Sequence, residues 1–109
     1  MKTVALGTLT SATSTTGVKP EDSNVEFQRG TNALAIIQPT NGAYVGTAKI
    51  QGSNSDDSVA DGSAVWVDLL TFVAPASNSG SKMALVTAYR RMRLTCTSAT
   101  GSVDGLLIA

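Results

Sequence analysis

Asp56, Asp57 and Asp61 place three carboxylates within six residues of a polar stretch, the densest set of oxygen ligands in the chain. A calcium ion would seek such a set. Loops of the EF-hand kind, however, present oxygens at alternate positions and close on a Glu at the twelfth, and residues 52–63 do neither. Asp and Asn are also ordinary turn formers, so the spacing favours a turn and assigns no metal ligands. Arg90, Arg91 and Arg93 form the one concentrated basic cluster. It suits either an acidic protein surface or a solvated strand face beside Asp and Glu. Cys96 is the single cysteine and cannot form an internal disulfide. Its place in an alternating apolar run predicts a buried small hydrophobe, not a reactive thiol. The chain has no His, which removes the commonest general base and the commonest zinc ligand. With no carboxylate pair at a recognisable spacing, no catalytic residue is assigned, no cofactor is expected, and an enzyme is not the expected reading. Trp66, Tyr44 and Tyr89 offer the only large amphipathic rings. Trp66 reads first as a core anchor and second as a surface for stacking on sugar.

The elements that hold these residues have to come from a 109-residue chain, enough for one core and too little for two. Formal net charge is zero and only 15% of residues are charged, so a nucleic-acid partner is not expected. So neutral a chain has little charge repulsion to keep copies apart, which suits life in an assembly. Residues 4–9 are too short and too interrupted for a signal-peptide core, and no run approaches a membrane span. The expectation is a protein made in the cytoplasm and kept there, or packaged into a particle assembled there.

Period-2 alternation is the main structural signal. Residues 3–9 read as a first strand or a docking arm. Residues 10–24 are long and almost wholly polar, of a length that is usually functional or mobile, and read either as a solvated connector or as an extended arm that orders against a neighbour. Residues 24–29 alternate, with Val25 and Phe27 on one face. Residues 33–38 and 44–51 flank a Pro-Thr-Asn-Gly turn and suggest a hairpin. Residues 64–72 form the longest apolar run; Asp68 shares the parity of Trp66, which implies either a bulge or an Asp68 that caps a loop. Residues 83–86 and 91–97 follow, with Met92, Leu94 and Cys96 on one face. A turn at residues 98–101 then leads into the run 102–108. A helix over residues 81–93 is rejected because the alternation continues beyond it.

Turn signals every ~8–12 residues and no helix predict an all-β fold, a single antiparallel, jelly-roll-like β-sandwich of about eight short strands. Residues 1–24 would form the arm and connector and residues 25–109 the sandwich, one domain overall. The expected core is Val25, Phe27, Leu34, Ile36, Val45, Ile50, Trp66, Leu85, Leu94, Cys96, Val103 and Leu107.

Three stretches carry a resemblance. They are Ile50-Gln51-Gly52-Ser53-Asn54, then Trp66-Val67-Asp68-Leu69, then Tyr89-Arg90-Arg91-Met92-Arg93-Leu94-Thr95, followed by a Gly-turned terminal hairpin. Together they resemble small tailed-bacteriophage virion proteins over residues 44–109. The resemblance implies a jelly-roll-type sandwich acting as a capsid decoration, or cement, protein. It would bind the phage major capsid protein as a homotrimer on the virion surface, by several contacts acting together. A carbohydrate- or receptor-binding module of a phage tail or head fibre is the alternative. The expected interface draws on Thr13 and Lys19 of the arm and on Arg90, Arg91 and Arg93. To these it adds Leu106 and Ile108, which point outward if Leu107 points in. No membrane partner is expected.

Overall fold

The computed structural model describes residues 2–40, 44–74 and 82–109. Among the described residues seven strands form two antiparallel sheets, as an all-β sandwich requires. The strands are β1 (Thr3–Leu9), β2 (Asn32–Pro39), β3 (Val45–Ser53), β4 (Val67–Ala74), β5 (Lys82–Thr87), β6 (Arg91–Thr100) and β7 (Val103–Ile108). One sheet has the order β1-β7-β2-β5, the other β4-β3-β6. Alternate residues of both sheets fill the space between them: Val4, Leu6, Ala33, Ala35, Ile37 and Leu107 from the first, Ala48, Ile50, Leu70, Phe72, Met92 and Leu94 from the second.

Several expectations are corrected. The runs on either side of residues 39–43 are not a hairpin, because β2 and β3 belong to different sheets; Asn41, Gly42 and the rest of 41–43 lie outside the described residues. The terminal pair β6 and β7 is not a hairpin either. Its turn, with Gly101 at φ 81°, carries the chain from one sheet to the other. Alternation fixes which face of a strand is apolar, and two strands facing one core from opposite sheets look the same as a paired hairpin.

Residues 24–29 form no strand. Pro20 opens a single helical turn, α1 (Pro20–Ser23), and the Asn24 side chain accepts the Glu26 N–H to cap a 3-10 turn at Val25–Phe27. Residues two apart in such a turn point away from each other. Phe27 is therefore fully buried while Val25 is 69% exposed. Of the other expected core residues, Val45 and Leu85 are exposed and Leu34 and Trp66 half-buried. In β2 the inward positions belong to Ala33, Ala35 and Ile37, which leaves Leu34 and Ile36 on the outer face. The bulge expected around Asp68 is present: Ile50 pairs with Leu70 and Gln51 with Asp68, so Leu69 is the extra residue.

The connector 10–24 lies along this chain's own β6. Thr15 donates its N–H to the Leu94 carbonyl and receives the Leu94 N–H on its hydroxyl. Val18 and Met92 exchange both backbone bonds, and the Thr13 carbonyl accepts the Cys96 N–H. The same segment closes on β1 at Gly7, where a Cβ would come within 2.8 Å of Thr15. With φ at 124°, Gly7 combines a backbone open to glycine with this close approach. The connector thus satisfies the free edge of β6.

Candidate docking face

The outer faces of the two sheets differ in chemistry. On the three-stranded sheet, polar side chains are joined in one chain of contacts. Gln51 donates to Asp68 (Nε2 to Oδ1, 2.8 Å) and accepts from Arg93 (Nε to Oε1, 2.9 Å); Lys49 pairs with Asp68 at 2.9 Å. The Arg93 guanidinium lies 4.1 Å from the Trp66 ring centroid, and Trp66 Nε1 donates to the Asp61 carbonyl. Asp61 holds Arg91 at 2.8 Å and accepts the Gly17 N–H at 2.7 Å; Arg91 also donates to the Asp56 carbonyl. Arg90 is held by Asp57, Asp22 and Glu21, and Lys19 joins Asp57 at 3.3 Å.

The residues carrying the resemblance therefore interlock the loops over this sheet. Gln51, Asp68, Trp66 and Arg93 form its centre. Gly52 makes room for Tyr89, whose ring would lie 2.5 Å from a Cβ there. Asn54 accepts the Arg90 N–H and Ser53 the Ser55 N–H. The three arginines of the expected interface are engaged with this chain's own groups. Arg91 is the deepest, its side chain 5% exposed. Lys19 is in the same network, and Thr13 is exposed beside β6 with its carbonyl bound.

An open polar cleft of about 590 Å³ lies over this network, lined by Arg29, Asn54, Ser55, Asp56, Asp57 and Arg90. Its carboxylates are held below the usual range. Asp57 is lowered mainly by the Arg90 hydrogen bond and then by Lys19, Asp56 by its bonds from Ser58. Asp61 is lowered first by the Gly17 N–H and then by Arg91. Carboxylates so committed are poor proton acceptors near neutrality. No group of three or more metal-ligating side chains occurs among the described residues. Burial pushes the Cys96 thiol up, and the buried Tyr44 stacks on Phe72 with centroids 6.2 Å apart. A sugar platform needs open rings, and here Tyr44 is buried, Tyr89 covers Gly52 and one face of Trp66 lies against Arg93.

These depressed carboxyls set an acid limit. A carboxyl whose folded pKa is lowered stabilises the fold above its unfolded value, about 3.9 for Asp, and that contribution is lost as pH falls through the folded value. With no His in the chain, no ordinary side-chain titration intervenes between about pH 5 and 8. The urea midpoint is expected to stay level across that range and to fall below about pH 4. Asp61→Asn should lower the plateau and flatten the acid fall. Its cost should lie below the ~3–5 kcal/mol of breaking a fully buried pair, because Asp61 keeps 31% of its side-chain surface in water. A plateau unchanged by Asp61→Asn would contradict a stabilising role for the Asp61 contacts with Arg91 and Gly17.

The outer face of the four-stranded sheet is apolar. Register places Thr3, Ile108, Leu34 and Leu85 in one row across the strands, and Ala5, Leu106, Ile36 and Met83 in the next. Seven of these eight are apolar. Met83 is 56% and Leu85 72% exposed; Leu34, Leu106 and Ile108 are half-buried, and Ile36 is buried at the centre of the patch. A third row of Thr8, Asp104 and Gln38 closes one side in polar groups, with the Thr8 hydroxyl donating to the Asp104 carboxylate. A shallow groove of about 280 Å³ runs between β1 and β7 along Ala5, Thr8, Asp104 and Leu106. Antiparallel sheets usually alternate apolar inward with polar outward, and the other sheet follows this apart from the exposed Val45 and Val73. This sheet is apolar on both faces, and a contiguous apolar patch with a polar rim is the mark of an interaction surface.

Leu106 and Ile108 of the expected interface thus belong to the patch. Leu34, Ile36, Met83 and Leu85 were not expected there. A signal existed: residues 33–37 are apolar on both parities, which a strand with one solvated face does not need. Comparison with family models, with curated proteins and with solved structures gives no match. Among the described residues no helix is long and apolar enough to cross a membrane.

Proposed function

We propose that the chain is a structural virion protein of the capsid decoration type, a non-enzymatic module that docks on the major capsid protein of a phage head. The reading rests on the resemblance over residues 44–109 and, above all, on the two apolar rows across the outer face of the four-stranded sheet. A flat apolar face suits a broad protein surface better than a small ligand, which needs a concave site. The opposite face, tied internally by Gln51, Asp68, Arg93 and Trp66, serves as the rigid backing and faces outward on the particle. Neutral net charge lets many copies crowd on one shell.

The test is addition of purified chain to expanded, undecorated heads of the phage that encodes it. Binding should saturate at a fixed number of copies per capsid subunit and raise the temperature at which the heads rupture. Heads that neither bind the chain nor gain heat resistance overturn the reading.

A further inference from the structure

We propose that β5 is a self-pairing edge, and that two copies of the chain join their Lys82–Thr87 strands antiparallel about a two-fold axis. The sandwich has four edge strands, and the other three are disarmed. β1 carries a register shift between Ala5 and Gly7, β4 carries the Leu69 bulge, and β6 is paired with residues 13–18. Bulges and covering segments are the usual means by which sheet edges are kept from pairing with other chains. β5 has neither. It runs in unbroken register with β2 from Thr87 to Lys82, and no described backbone pairs with its other side. It has no Pro, and its one charge, Lys82, stands at its start.

The sequence of β5 fits a second copy of itself. Residues directly opposite in an antiparallel pair share a face, so a two-fold axis normal to the sheet must pass between one residue and its own copy. With the axis at Ala84, Met83 stands against the partner's Leu85 on the outer face, and this contact occurs twice. Ala84 meets its own copy on the inner side, and Lys82 stands opposite Val86, so like charges do not meet. The most exposed large apolar side chain of the strand, Leu85 at 72%, gains a neighbour without any internal rearrangement. The product is an eight-stranded sheet whose apolar outer face is doubled. The resemblance implies a trimer; the straight edge favours a closed pair.

The pairing uses the edge of the sheet and is independent of the capsid reading, which uses its face. Sedimentation of the full chain at micromolar concentration should give about twice the 11.1 kDa chain mass. Leu85→Lys, at an exposed position, should weaken the dimer at least tenfold while the circular dichroism stays the same. Amide hydrogen exchange separates edge pairing from face stacking, since edge pairing protects the β5 amides directed away from β2. Those amides should exchange slowly in the wild type and fast in Leu85→Lys. A monomer, a trimer, or a dimer whose β5 amides exchange equally fast in both proteins overturns the pairing. Capsid binding is read separately. A monomer that still saturates capsids overturns the pairing alone, and a dimer with protected β5 amides supports it whether or not capsids bind.

Discussion

Leu106→Asp is expected to reduce binding to undecorated heads by a hundredfold or more while the purified protein keeps its fold. Leu106 sits between Ala5 and Ile36 in the second apolar row and is already half-buried in the free chain. A carboxylate there stays partly hydrated in solution, at a cost to folding of about 1–2 kcal/mol against a typical total of about 5–15. On docking it must lose its water with no partner charge on its own face. A penalty of about 3 kcal/mol corresponds to more than a hundredfold in affinity, and attachment through several copies multiplies the loss. Titration of heads with wild type and variant, alongside their urea midpoints, separates the two effects. A variant that is folded and binds with unchanged affinity removes Leu106 from the interface. Thr47→Asp, on the outer face of the three-stranded sheet, should bind normally.

Phe27→Ala should cost the fold about 3–5 kcal/mol, the usual range for emptying a fully buried aromatic site. Phe27 is 0% exposed, and the segment that delivers it is short: one helical turn, the Asn24 cap and a 3-10 turn. Pro20 is the segment's other buried residue and Arg90 ties the segment down through Glu21 and Asp22, so it stays in place and the cavity stays open. Val25→Ala, two residues away and 69% exposed, should change stability by less than about 0.5 kcal/mol. Urea unfolding of the pair decides the matter. Equal effects would support a strand with both side chains inward, and a large effect at Phe27 alone supports the capped turn.

That pair also shows what could be read in advance. The alternation of residues 24–29 fits a half-buried strand, and a 3-10 turn differs in which of its residues can share a face. The competing signals were Pro20, well placed to begin a helix, and Asn24, a good cap. The inward faces of β6 and β7 were legible because Met92, Leu94, Cys96, Val103 and Leu107 keep strict parity. Their sheet membership was not, since parity is the same for paired and for opposed strands. β2 misled for a different reason. Its larger side chains, Leu34 and Ile36, face out, and the interior beside it takes Ala33 and Ala35.

The candidate site was partly legible for related reasons. Leu106 and Ile108 followed from the parity of Leu107, which needs only local alternation. Met83 and Leu85 were missed because their importance depends on which strand lies beside β5 and which edge stays free. The arginines drew attention as a charge cluster, but Arg90, Arg91 and Arg93 find Asp57, Asp61 and Gln51 across loops distant in sequence. Those partners become neighbours only once the three-stranded sheet has formed.

The central claim is that the apolar face of the four-stranded sheet is the docking surface. Hydroxyl-radical footprinting of the chain, free and bound to heads, tests it most directly. Leu34, Met83, Leu106 and Ile108 should lose reactivity on binding, while Val45 and Val73 on the outer face of the other sheet keep theirs. Protection of Val45 and Val73 with unchanged reactivity at Met83 and Leu106 would contradict the claim.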